Sequence, residues 1–138
     1  MSDQQKRPTD GLTPFLAIRG GKGQEALAFY ERAFGAQVVD RNLAQDGVRL
    51  MQAALRINNG WLMLSDEFPE FGFSAAQPGA VTLHLQVDDA DVWWARALEA
   101  GGSVIMDIAD QFWGDRYGQL MDPFGHQWSV GSMLKAGG

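Results

Sequence analysis

The chain has 138 residues, 46% of them hydrophobic and 20% charged, a composition that supports one folded domain and excludes a largely disordered chain. It has no Cys and two His, which removes thiol catalysis, Cys-bound zinc, iron–sulfur clusters and disulfide frameworks, and leaves little imidazole for a metal centre. With 17 acidic against 11 basic side chains the net charge is -6, which repels nucleic acid and anionic lipid and favours cationic ligands.

Residues 1–11 are polar and lack the apolar core of a secretory signal, so a disordered leader is expected there. No window approaches the roughly 18 consecutive apolar residues of a spanning helix. A soluble, cytoplasmic protein with neither membrane nor nucleic acid as partner is expected.

Leu12, Phe15, Leu16 and Ile18 predict a strand over 12–18, broken by Gly20, Gly21 and Gly23. These glycines lack the Lys-Ser/Thr pattern of a phosphate loop. Ala26, Leu27, Tyr30, Ala33 and Phe34 recur at spacings of three and four, which predicts a helix, and Gly35 is placed to end it. Strand-like runs follow at 37–42, 48–57 and 61–65. Gln45-Asp46-Gly47 and Asn58-Asn59-Gly60 separate them as hairpin turns. After a Gly-, Pro- and Phe-rich linker over 67–80, 81–87 reads as a strand and Ala90 to Ala100 as a helix capped by a nearby Asp. Strands at 103–108, 117–121 and 127–130 complete the second half. Residues 132–138 are expected to be a flexible tail.

The order β-α-β-β-β thus occurs twice, at an offset of about 65 to 70 residues, too long and too few for a solenoid. The predicted fold is α+β: one domain over 12–131 built of two tandem βαβββ modules, 12–66 and 81–131. Their sheets are expected to form a half-open, eight-stranded, barrel-like cleft. Alternation puts Thr82, His84 and Gln86 on one strand face and Val81, Leu83, Leu85 and Val87 on the other. The apolar set should meet the helix and the polar set the cleft. Thr13, Phe15 and Ala17 are the equivalent set in the first strand.

Five blocks in chain order resemble the glyoxalase / bleomycin-resistance / extradiol-dioxygenase (vicinal oxygen chelate) superfamily, and more narrowly its PhnB-like branch. They are Thr13–Ile18, Ala28–Ala36, Leu62–Pro69, Asp110–Gly118 and Asp122–Trp128. The resemblance implies paired βαβββ modules, frequently a homodimer, and a cleft that in many members holds a divalent metal. It places the metal ligands close to Thr13, Leu64, Thr82 and Ser129, none of them a His or a carboxylate. No metal and no cofactor are therefore expected; a displaced set of His84, Gln52 and Glu67 is the remaining candidate.

The candidate ligand-binding residues are Phe15, Gln52, Thr82, His84 and Gln86 on the strands, with Phe112, Trp113, Arg116 and Tyr117 in an aromatic loop over the cleft mouth. Such a loop can stack on a planar ligand or pair with a carboxylate. No catalytic residue is assigned. The expected function is binding of a small molecule, cationic or aromatic, in the concave cleft. The alternative is a metal-dependent lyase, isomerase or dioxygenase of the glyoxalase type. Phe68, Phe71 and Phe73 in the linker suggest a homodimer contact.

Overall fold

The computed structural model describes residues 5–135; the ends of the expected leader and tail lie outside them. Residues 5–11 form neither helix nor strand. Eleven elements follow in chain order. The first half holds β1 (Phe15–Ile18), α1 (Gly23–Phe34), β2 (Gln37–Leu43), β3 (Leu50–Ile57) and β4 (Gly60–Asp66), then a 3-10 turn at Pro69–Phe71. The second holds β5 (Thr82–Gln86), α2 (Ala90–Ala100), β6 (Ser103–Asp110), β7 (Asp115–Met121) and β8 (Gln127–Met133). Each half makes a four-stranded mixed sheet, in the order β1-β4-β3-β2 and β5-β8-β7-β6. The fold is α+β with two tandem βαβββ modules. It also divides into two compact units: residues up to Glu31 with Gly35–Ala76, and Arg32–Phe34 with the residues from Gln77 on.

Local chemistry explains the boundaries. Asn58 and Asn59 adopt φ of 49° and 66°, the left-handed pair that a two-residue hairpin needs between β3 and β4. Gly35 ends α1 at φ 65°, its N–H donating to the Glu31 carbonyl and the following Ala36 N–H to the Tyr30 carbonyl. Asp89 caps α2 by accepting from the Val92 N–H. β8 runs through Met133: pairing with β7 holds Ser132 and Met133, two residues of the segment expected to be tail, in the sheet.

In the first unit the core is made by Ala26, Leu27, Phe29 and Tyr30 of α1 with Leu16, Ile18, Ala53, Leu55, Leu62 and Leu64 of the sheet, all buried. In the second, α2 packs on β6, β7 and β8 through buried Trp94 and Ala97. Gly118 makes room there: a Cβ on it would come within 2.8 Å of the Trp94 ring. Of the apolar set read in β5, Leu85 is buried and Leu83 half-buried, but Val81 precedes the strand and is exposed.

Both helices start against a side chain from the end of the last strand of their own module. The Asp66 carboxyl, fully buried, accepts from the Gly23 N–H at 2.7 Å and the Leu50 N–H at 2.7 Å. The Ser132 hydroxyl accepts from the Ala90 N–H at 3.1 Å. Each supplies one of the acceptors that the first turn of a helix lacks.

Candidate functional site

The polar face of the second sheet is built in rows set by strand register. β5 and β8 run parallel with Thr82 beside Gln127, His84 beside Ser129 and Gln86 beside Gly131. β7 continues the rows with Met121, Gln119 and Tyr117. One row is therefore His84–Ser129–Gln119 and the next Gln86–Gly131–Tyr117.

His84 is held at both ring nitrogens. Its Nδ1 lies 2.7 Å from Ser129 Oγ and its Nε2 2.7 Å from Gln86 Oε1. An amide oxygen only accepts, so with Gln86 so oriented Nε2 carries the hydrogen and Nδ1 accepts from the Ser129 hydroxyl. The imidazole stacks on Tyr117, centroids 5.9 Å apart and planes at 28°. Gly131 allows this: a Cβ on it would stand 3.1 Å from His84 Cε1, 3.3 Å from Gln86 Oε1 and 3.5 Å from Tyr117 Cδ2. The Tyr117 hydroxyl accepts from Gln119 Nε2 at 3.0 Å and keeps its own hydrogen to donate.

From Tyr117 the aromatic surface continues to Trp113, edge-on at 5.4 Å, and on to Phe112, edge-on at 5.1 Å. Trp113 Nε1 donates to Asp115 Oδ2 at 3.0 Å, which fixes the indole. Phe112 is 96% exposed and Trp113 49% exposed.

Thus the structure brings together Thr82, His84, Gln86, Trp113 and Tyr117, with Phe112 at the outer end. Arg116 goes elsewhere. β7 begins at Asp115, so alternation turns Arg116 away from Tyr117, and its guanidinium pairs with Asp91 of α2 at 3.2 Å and Asp110 of β6 at 3.1 Å. Those two carboxylates hold it above the usual arginine range. Gln119, Gln127 and Gly131 also belong to the polar face; alternation extended along β7 and β8 points to Gln119 and Gln127, while Gly131 lies beyond the strand expected over 127–130.

Phe15 and Gln52 lie in the first unit. Phe15 stands beside Met63, and Met63 beside Ala54, on a largely apolar sheet face. Gln52 accepts from Asn42 Nδ2 at 2.7 Å, while its own Nε2 is buried with no hydrogen-bond partner among the described residues. Glu67, the acid of the displaced metal set, is occupied: its two oxygens accept from the Gly20 N–H at 3.0 Å and the Ala75 N–H at 3.1 Å. The Gly20 contact and then the Ala75 contact hold its carboxyl below the usual range.

A family model described as Glyoxalase/Bleomycin resistance protein/Dioxygenase superfamily matches residues 13–130. The chain belongs to this superfamily. It is 42% identical over 130 residues to the protein Rv0887c of Mycobacterium tuberculosis, covering 90% of this chain and 75% of that one. Among solved structures, PA1353 from Pseudomonas aeruginosa superposes with a TM-score of 0.75 at 25% identity, over 92% of this chain and all (100%) of the other. The PhnB protein from Bacillus cereus shares the fold, with a TM-score of 0.70 at 19% identity over 89% of this chain and 99% of its own.

The divalent metal carried over by the family resemblance finds a poor donor set here. Of the four places expected for ligands, Leu64 is fully buried in the core and turned from the sheet face, where Met63 and Ser65 are its neighbours. Ser129 faces His84 with a neutral hydroxyl. Thr82 Oγ1 lies 3.4 Å from Gln127 Oε1. One imidazole among hydroxyls and amides does not match the carboxylate and imidazole set that Mg, Mn, Fe or Ni requires. Among the described residues no three His, Asp or Glu stand close enough to hold an ion.

Proposed function

We propose that this chain binds an aromatic small molecule on the exposed polar face of its second sheet without a protein-held metal. The observation that supports this most is the Ser129–His84–Gln86 hydrogen-bond chain, continued by Tyr117 and Trp113 into an exposed aromatic ledge. A planar ligand stacks on Trp113, and its polar substituents exchange hydrogen bonds with the Tyr117 hydroxyl, Gln86 and Thr82. The Asp115 carboxylate beside the Trp113 indole and, at longer range, the chain's charge of -6 select against anions and for cations. The protein acts as a cytoplasmic homodimer. Support for self-association comes from the edge strand β6, where Val104 is 50% exposed, Ile105 43% and Met106 37%.

The test is calorimetric titration with bleomycin, a glycopeptide with a planar bithiazole and a cationic tail, beside a turnover assay on a 2-oxoaldehyde hemithioacetal, each with and without added Mn2+ or Ni2+. Saturable bleomycin binding that is independent of metal is expected. The Trp113→Ala variant should fold and bind about threefold to tenfold more weakly, the worth of one aromatic contact. Metal-stimulated turnover of the hemithioacetal would overturn the proposal in favour of a metal-dependent enzyme.

A further inference from the structure

We infer that the first unit carries a second small-molecule site, independent of the face bearing His84, that takes an organic cation with an aromatic body. It is a cavity of about 650 Å³ beside the β2–β3 turn, walled by Asp46, Arg49, Met51, Phe68, Glu70 and Phe71. Small-ligand sites span roughly 300 to 1,000 Å³.

The wall is built by a network of fixed contacts. Arg49 donates through Nε to Asp46 at 2.7 Å and through Nη1 and Nη2 to the two Glu70 oxygens at 3.0 and 2.6 Å. Its guanidinium lies 4.4 Å from the centre of the Phe68 ring. The Phe68 and Phe73 backbones exchange hydrogen bonds of 2.6 and 3.0 Å, and Phe71 N–H donates to the Phe68 carbonyl at 2.9 Å. Glu67 ties the same loop to Gly20 and Ala75.

A loop held at so many points would be expected to bury its apolar side chains, yet the Pro69–Phe71 turn buries none. Phe71 is 81% exposed and Met51, across the cavity, 61%. Apolar surface fixed in the open gains nothing until something covers it, at about 25 cal/mol per Å². The only cation in the wall is engaged by two carboxylates, so the rim keeps one net negative charge. That charge favours an organic cation. It also disfavours a second copy of this acidic chain, whose equal rim would face like charge.

The probe is 2-(1-naphthyl)ethylammonium, compared with 1-naphthylacetate, which has the same ring and opposite charge, in an amide NMR titration of the full chain. The cation should shift residues 44–51 and 68–73 and bind at least about tenfold more tightly than the anion. Phe71→Ala, at an exposed position that leaves the core intact, should weaken it about fivefold or more. Tyr117→Ala should leave it unchanged, which keeps this site separate from the one proposed on the second sheet. Equal binding of the anion, shifts confined to residues around His84 and Tyr117, or shifts that grow with protein concentration alone and vanish in Phe71→Ala would each overturn the inference.

Discussion

Gln52 carries the single unpartnered buried side-chain nitrogen found among the described residues. Such a donor costs about 1 to 3 kcal/mol, and an apolar side chain of like shape avoids it. Gln52→Met also removes the acceptor used by Asn42, but Asn42 is exposed and keeps its bond to Asp40 at 3.2 Å. The variant should therefore unfold at a higher temperature by calorimetry, by about 4 °C for roughly 1 kcal/mol in a domain of this size. A lower melting temperature would mean that Nε2 is satisfied in solution. Residue type and alternation pointed to Thr82, His84 and Gln86 because three polar side chains at every second position of an apolar strand are visible in the sequence. Gly131 was not visible. Its role comes from a neighbouring strand that lays the His84 ring over it, and no pattern in the chain encodes that approach. In the sequence 112–117 reads as one loop, which groups Arg116 with the aromatic rings; with β7 starting at Asp115, charge and ring fall on opposite faces.

At the scale of elements, helix ends and hairpins were largely legible. Ala90–Ala100 was read at its observed bounds because Asp89 and Gly101 stop it at both ends. The strand predicted from Leu12 starts only at Phe15, where its pairing with β4 begins at Met63; Leu12 is 99% exposed. The start of α1 also depends on distant chain: Asp66 lies 43 residues from Gly23. An amide at position 66 offers one acceptor where the carboxyl offers two, and turns an N–H against a buried N–H. Asp66→Asn should thus lose about 2 kcal/mol or more, a fall in Tm of the order of 8 °C. An unchanged Tm would show that water replaces the missing acceptor. The strap between the β2–β3 turn and the Pro69–Phe71 turn responds to pH instead. Backbone N–H of Val48, then the Arg49 side chain, hold Asp46 at about 2, and Arg49 first among its partners holds Glu70 below its usual value. Both folded values lie below the unfolded ones, so the strap is intact above pH 4 and is lost as the pH falls toward about 2. Amide shifts at 44–49 and 68–71 should be flat from pH 5 to pH 8 and move together below about pH 4. Movement near neutral pH would contradict this assignment.

Over the whole molecule, the two modules repeat a topology while dividing their chemistry. Register makes Phe15 and Met63 the counterparts of His84 and Ser129. One sheet face is mostly apolar and the other carries an imidazole, hydroxyls and amides. The fold was legible because hydrophobic period, turn residues and element order agree along 118 residues of family match. The site was only partly legible, because a family pattern says where ligands stand and the residues standing there are of another kind. That mismatch has a thermodynamic consequence. An ion that binds only the folded state at about 10 µM would, at about 1 mM, stabilise it by about 2.7 kcal/mol. In a domain of 138 residues this raises the melting temperature by roughly 8 to 10 °C. Hydroxyl and amide donors around a single, already hydrogen-bonded imidazole cannot reach that affinity. Untagged protein in about 1 mM Mg2+, Mn2+ or Ni2+ should therefore melt within about 1 °C of its value in chelator. A rise of several degrees with one of these ions, abolished by His84→Ala, would reveal a donor set that this sheet face lacks.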